Sequence, residues 1–397
     1  MQEKCRICGN EQLDYFRLPV ETYLTSDLKD WSDNPPPLFF ECACNYIGKS
    51  NLDESYKTSL FATYSDYSPY SNSLGNEQIV FNQAEGKYTQ RSDILLENLL
   101  SNFKSPINID TVLEILEFGC GNGPFLSSLE KSNFESYILD AFDVNDRFEP
   151  YLRTKKNFRN FYMKEEEFSN SKYNLIVMAH VLEHLREPSL TIQDLLKILK
   201  QDGELLIQVP NSEINYFDYL IADHLSHFTL STLLNLVRKN PCKIVRKNED
   251  MVPKEITIVL SPSSIIHEDL TTVHNLKNRK DIIRFFESWR KLIESFDAHD
   301  NIMIFGTSIG STWLFNELAK SEINVVGFLD EDFSKVGKLY KGKPVIDVQK
   351  FELEKNTKML IPLAPNLVSI IFRKYKDKFP EAQSVNNDGI YKIKDLL

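Results

Sequence analysis

The sequence predicts an α/β protein with two doubly wound sheets behind a small cysteine-bearing head, and three observations carry that prediction. Apolar runs alternate with amphipathic stretches between residues 113 and 260, and again between 301 and 379. The first run ends in a glycine-rich turn, LEILEFGCGNG, from Leu113 to Gly123. Four of the six cysteines fall within the first 44 residues. A chain of 397 residues is long for one domain, and these landmarks divide it at 1–62, 63–260 and 261–397.

In the head, Cys5-x-x-Cys8 followed by Gly9 is a thiolate knuckle, and Cys42-x-Cys44 supplies a second pair. Four thiolates close a tetrahedral site with no open position, so the expected ion is a structural zinc. The N-terminus, MQEKCRICGN, lacks an apolar signal region, and no run approaches the roughly twenty apolar residues that span a bilayer. The chain is therefore read as cytoplasmic and free of membrane insertion, and its cysteines as reduced. A net charge of −11 argues against a nucleic-acid partner. Ser26 to Pro37 is polar, ends in three prolines and reads as a loop. The serine-rich stretch around Tyr64, Tyr67 and Tyr70 has no periodicity and reads as a surface loop. A helix is expected from about Gln78 to Leu100.

Within LEILEFGCGNG, the apolar residues Leu113, Ile115, Leu116 and Phe118 read as a buried strand. Gly119, Gly121 and Gly123 let the backbone turn tightly and approach a ligand, and a helix opens near Pro124. A dinucleotide loop spaces its glycines GxGxxG to seat a pyrophosphate. Here the spacing is GxGxG, and Glu117 lies two residues before the first glycine. A carboxylate there repels a pyrophosphate and pairs with an ammonium group, which points to S-adenosylmethionine. Asp143, twenty residues after Gly123, ends the next apolar stretch, where ribose hydroxyls are held.

Further strands are expected over Lys172–Met178 and Glu204–Val209, with a helix after Pro188 and a terminal pair at Lys243–Val245 and Glu255–Leu260. Strand ends then place Ala179, His180 and Asn211 on the ligand-binding edge, with Ala179 and His180 near the amino-acid end of the cofactor. A helix over Lys280–Phe296 leads to a second α/β unit: a strand Asn301–Gly306, a helix opening at Gly306-x-x-x-Gly310, strands at Ile323–Leu329 and from Met359, and a helix Leu367–Phe379. The middle glycine of a dinucleotide loop is missing, so this unit is expected to be structural or to hold substrate.

Two histidine clusters follow the strands. His180-x-x-Glu183-His184 has the order of an inverted zincin but follows a buried strand, so it reads as shaping the cofactor pocket rather than binding metal. Asp223-His224 lies beyond the strand ending at Val209, over the same edge. Methyl transfer needs an acceptor that loses a proton, and a neutral imidazole held by a carboxylate suits that task. His224 is the candidate base and Asp223 its carboxylate.

Together, CRICGN, EFGCGNG, MAHVLEHLREP, IQVPN, DHLSHFTLSTL and VVGFLDEDFSKVGKLYKGKPV, in this order, resemble the three-domain S-adenosylmethionine-dependent sugar methyltransferases. The resemblance covers essentially the whole chain. It implies an N-terminal zinc-binding domain, a central class I methyltransferase domain and a C-terminal Rossmann-like domain. It also implies a nucleotide-linked sugar as the small-molecule partner, and it is strongest toward C-methyltransferases of deoxy-ketosugars. Asp223-His224 matches the family's acid–histidine pair, with Asp for the usual Glu, and implies His224 as general base. Tyr67 and Tyr70 best match two tyrosines, three apart, that in the family help hold the sugar and assist proton transfer; Tyr64 and Tyr67 share that spacing. Two departures stand out: Cys42-x-Cys44 is tighter than the usual second knuckle, and HVLEHL is commoner among methyltransferases of surface glycans and lipid-like substrates.

Overall fold

Seven strands form the central sheet: β1 (Leu113–Phe118), β2 (Tyr137–Phe142), β3 (Phe158–Tyr162), β4 (Tyr173–Ala179), β5 (Leu199–Pro210), β6 (Cys242–Asn248) and β7 (Glu255–Pro262). They belong to a computed structural model that describes residues 3–50, 53–65, 77, 79–82, 87–102, 112–132, 134–249, 251–264, 278–354, 356–386, 388–392 and 394. Their spatial order is β6-β7-β5-β4-β1-β2-β3. The five strands β1 to β5 are parallel, β7 runs antiparallel to β5, and β6 antiparallel to β7. Helices cover both faces, so the inner strands are apolar on both sides; Leu175 to Met178 are at most 4 % exposed. The helices Pro124–Lys131 and Pro188–Lys197 both carry proline in the first turn, where its missing N–H costs nothing. The winding direction reverses between β1 and β4, and that reversal leaves a crevice at the carboxyl edge of the sheet.

A second seven-stranded sheet follows, with the strand order Leu339–Tyr340, Lys343–Asp347, Asn324–Asp330, Asn301–Phe305, Thr357–Leu360, Gln383–Asn386, Gly389–Lys392. Its five inner strands are parallel and its two edges antiparallel. This unit docks on the central one through rings. Phe217 packs against Phe285, Phe286, Trp289 and Trp313 with centroids 5.3–6.3 Å apart. Gly310 is required there, since a Cβ would stand 3.1 Å from the Phe217 ring and 2.3 Å from the Pro362 carbonyl.

The head is a four-stranded sheet of Leu13–Phe16, Phe39–Cys42, Ile47–Lys49 and Ser226–His227. Its fourth strand therefore comes from the chain beyond β5, paired Ser226 to Gly48 and His227 to Ile47. One expectation is corrected between head and central sheet. Instead of one helix from 78 to 100, the chain forms a hairpin, Ile79–Asn82 with Lys87–Gln90, and a helix only from Arg91 to Asn102. The runs Ile-Val-Phe and Tyr-Thr are β-branched and aromatic, and their strand preference prevails over the helical spacing of the residues that follow.

Candidate active site

β1 delivers Glu117 and the glycine turn to the carboxyl edge. Gly119, Gly121 and Gly123 have φ of +74°, +48° and +68°, a region that side chains rarely enter. A Cβ on Gly119 would stand 2.3 Å from Val181 Cγ2, and one on Gly123 2.4 Å from Leu152 Cδ2. Strain and clash together predict that Gly119→Ala weakens S-adenosylhomocysteine binding at least tenfold, or about 1.4 kcal/mol, by calorimetry; an unchanged affinity would remove the turn from the cofactor site.

Asp143 fastens the turn to the end of β2. One of its carboxylate oxygens accepts from Gly121 N at 2.8 Å and the other from Asn145 N at 3.1 Å. Glu117 is 6 % exposed and accepts from Leu126 N at 3.3 Å. Burial pushes its carboxyl up to about 8, against the pull of the Leu126 and Phe125 amides, and the nearby acids Glu77 and Asp143 push the same way. A buried acid among acids calls for a cation, which fits the ammonium end of S-adenosylmethionine. The sign of the linkage follows. Between the ordinary carboxylate value and about 8 the folded protein holds a proton that the unfolded chain has lost, so this group's contribution to stability falls as pH rises through that window. Glu117→Gln is therefore expected to raise the Tm of the ligand-free protein above pH 8 while weakening S-adenosylhomocysteine binding. Scanning calorimetry and titration calorimetry test the two halves.

At the end of β4, His180 adopts φ +56° and its Nε2 accepts from Arg91 Nη1 at 2.5 Å. Its Nδ1 stands 3.2 Å from Glu183 Oε1, and Glu255, at the start of β7, stands 3.2 Å from its Nε2. Four residues apart, His180 and His184 would share a face of a continuous helix, but they do not do so here: the left-handed His180 breaks the chain before a short 3-10 turn, Leu182–His184. Glu183 is 1 % exposed, neither of its carboxylate oxygens has a hydrogen-bond partner among the described residues, and burial pushes it up to about 8.

Beyond β5 the chain makes a 3-10 turn, Tyr216–Leu220, and returns over the edge through Asp223 to His227. Here the carboxylate assigned to His224 is corrected. His224 Nδ1 donates to Asp218 Oδ1 at 2.7 Å, and His227 Nδ1 donates to Asp218 Oδ2 at 2.6 Å. Asp223 turns the other way, accepting from Ser26 N at 2.7 Å and Ser26 Oγ at 2.5 Å, with its own carbonyl taking the His184 Nδ1 proton at 2.9 Å. Adjacent side chains on an irregular segment diverge, so Asp223 cannot sit behind the ring of His224. Burial opposes charge on Asp218, yet the charge and hydrogen bond of His224 and the bond of His227 hold it well below the usual carboxylate range. Burial likewise opposes an imidazolium at His224, but Asp218, Glu183 and Asp223 outweigh it and raise that ring above its ordinary value.

The ring of His184 stands edge-on to that of His224 at 4.7 Å. Glu183, His184 and His224 bring ligand atoms within 4.8 Å of one another, a spacing that admits a cation. In the head, the Sγ atoms of Cys5 and Cys44 are 3.6 Å apart and those of Cys8 and Cys42 3.4 Å, with all four within 4.8 Å. A tetrahedral zinc with thiolates at about 2.3 Å needs sulfurs ~3.8 Å apart, so the cluster has the right size. Tyr67 and Tyr70 lie outside the described residues.

A family model described as "Methyltransferase domain" matches residues 87–247, a span that holds the glycine turn, Asp143, His180 and the Asp218–His224 pair. Residues 87–247 are a methyltransferase domain. Among curated proteins, this domain is similar to the ubiquinone biosynthesis O-methyltransferase of Rickettsia bellii (strain OSU 85-389), 30% identical over 121 residues, which cover 30% of this chain and 50% of that protein. The chain thus spans about half the length of that relative. It is also similar to the probable polyketide synthase 28 of Dictyostelium discoideum, 24% identical over 260 residues, 58% of this chain and 10% of that one. Among solved structures, the plantazolicin methyltransferase BpumL in complex with a monoazolic desmethylPZN analog and SAH aligns over 52% of this chain and 95% of its own, at 12% identity and a TM-score of 0.40. The CurJ carbon methyltransferase aligns over 43% and 54%, at 13% identity and a TM-score of 0.37.

In the methyltransferase domain, Glu117, the three glycines, Asp143, Ala179 and His180 share one sheet edge, as the sequence implied. Asp218 was missed. Its only signal was position, five residues before Asp223 and between Tyr216 and Tyr219. No helix among the described residues is long and apolar enough to cross a membrane.

Proposed function

We propose that the chain is a S-adenosylmethionine-dependent methyltransferase acting on a sugar, most simply a nucleotide-linked ketosugar of deoxysugar or surface-glycan synthesis, with units at 1–62, 63–260 and 261–397. The observation that carries it is the buried His224–Asp218 pair above the edge that holds the glycine turn and Glu117. S-adenosylmethionine, when bound, supplies an electrophilic methyl group. Glu117 would hold its ammonium, Asp143 its ribose, and the backbone around Ala179 and His180 its amino-acid end. The hydrogen bond from Nδ1 to Asp218 fixes the His224 tautomer, leaving the Nε2 lone pair to take a proton from the acceptor. Asp218 then faces an imidazolium, which a buried carboxylate stabilises. Rigid placement of the ring supplies much of the rate. Tyr67 and Tyr70 are proposed to hold the sugar, and Cys5, Cys8, Cys42 and Cys44 a structural zinc. The test is a panel of nucleotide-sugars incubated with methyl-labelled cofactor. Exchange of solvent deuterium into a ketosugar without cofactor turnover supports C-methylation. A product whose methyl resonates as O- or N-methyl reassigns the acceptor to a glycan precursor. Cofactor binding without turnover on any sugar leaves a scaffold.

One observation favours a second reading of the same residues. Glu183 is buried beside His184 and His224, with neither oxygen accepting a hydrogen bond among the described residues and Oε1 3.2 Å from His180 Nδ1; the Nδ1 protons of His184 and His224 are committed to Asp223 O and Asp218. Rings fixed in that way are common metal ligands. A divalent ion there would polarise an acceptor oxygen and occupy the His224 lone pair. Titration with Mn²⁺ separates the readings: stoichiometric binding lost in Glu183→Gln favours the ion, and no binding leaves the free base.

A further inference from the structure

Arg6 lies inside the knuckle, between Cys5 and Cys8, yet its side chain is 6 % exposed and points away from the sulfurs. Its Nη1 donates to the Leu225 carbonyl at 3.0 Å and its Nη2 to the Lys49 carbonyl at 2.8 Å. Leu225 is the residue after His224, and Lys49 N also donates to its carbonyl, at 2.9 Å. Nη1 further reaches Tyr46 Oη at 3.3 Å, and that hydroxyl donates to Ser226 Oγ at 2.7 Å. The guanidinium lies over the Phe40 ring at 5.6 Å. Space for it exists only because residue 48 is glycine: a Cβ there would stand 2.7 Å from Arg6 Nη1 and 2.8 Å from Phe40.

Burying a guanidinium is costly unless its donors are matched, and a planar fork suits two carbonyls held at fixed spacing. The two carbonyls it joins belong to opposite sides of the ladder between head and methyltransferase domain. Other head residues grip the same segment. Leu24 exchanges backbone bonds with Leu220 and Ala222 at 3.0 and 2.7 Å, Ser26 holds Asp223, Tyr56 Oη donates to Ala222 O at 2.5 Å, and Lys49 Nζ donates to the Ile221 carbonyl. None of these groups reaches the glycine turn. The head thus grips the loop that carries His224.

We propose that Arg6 is a positioning residue for the reaction, through which the metal-held knuckle fixes the Leu225 carbonyl and with it the His224 ring on Asp218. The inference rests on reading His224 as the acceptor-facing group. It makes the cysteine centre an element of the active-site geometry as well as of the fold. Occupancy of the four cysteines sets the angle of the knuckle, the knuckle sets the fork, and the fork sets the ring.

The test follows the His224 Nδ1 proton by NMR in histidine-labelled full-length protein, assigned by its absence in His224→Gln. Arg6→Met is expected to raise that proton's exchange with water at least tenfold, with affinity for S-adenosylhomocysteine unchanged. Arg6→Lys, which keeps the charge and one donor nitrogen, is expected to restore most of the protection. Gly48→Ala provides the same test without removing the charge, by crowding the guanidinium. Zinc chelation of the wild-type chain should reproduce the Arg6→Met signature. Wild-type exchange in both Arg6→Met and Gly48→Ala overturns the proposal, and so does a change that appears only together with a proportionate loss of cofactor affinity. This readout needs no acceptor, so it stands apart from the activity of His224→Ala, whose unchanged turnover would refute the base assignment instead.

Discussion

Asp218→Asn is expected to lower methyl transfer by about two orders of magnitude, the usual scale for loss of an oriented general base. An amide can donate to Nδ1 and move the ring proton to Nε2, which removes the lone pair that faces the acceptor. His224→Ala is expected to cost at least as much, and both variants should bind S-adenosylhomocysteine as the wild type does. Asp223→Asn is expected to cost less, because its carboxylate touches Ser26 and His184 rather than His224. Rates measured on the nucleotide-sugar that the panel identifies decide between the two acids: a larger loss from Asp223→Asn would return the carboxylate role to it.

The second large effect is on stability. Four cysteine sulfurs at tetrahedral spacing predict one zinc per chain by elemental analysis. Without the ion, its folding free energy goes as well. Cys8→Ser is expected to cost several kcal/mol, which for a chain of this size lowers Tm by on the order of 10 °C. The loss should appear first as unprotected amides in Phe39–Cys42 and Ile47–Lys49 by hydrogen exchange. A protein purified without zinc and with an unchanged Tm would contradict the site.

Features whose chemistry is local could be read from the sequence. Glu117 with its three glycines, Asp143 at a strand end, and two cysteine pairs are each defined by spacing within a few residues, and the structure puts them where that spacing implies. What could not be read depends on the return of the chain. Asp218 reaches His224 because a 3-10 turn folds back on itself, and no periodicity announces such a turn. Asp223 was the natural partner by adjacency, yet adjacency is a poor guide where the backbone is irregular. The strand Ser226–His227 is too short to carry an alternation pattern, and it exists because Ile47 and Gly48 offer it an edge. The hairpin at Ile79–Gln90 was hidden by the helical spacing of the residues that follow it.

That two-residue strand also bears on how the protein is made. Synthesis delivers Leu13–Phe16, Phe39–Cys42 and Ile47–Lys49 early, but their last partner emerges almost 180 residues later, after five strands of the central sheet. Until that partner arrives the first sheet has an open edge at Ile47 and Gly48. The order of emergence means that the head sheet, begun first, is completed only after the five parallel strands of the central sheet.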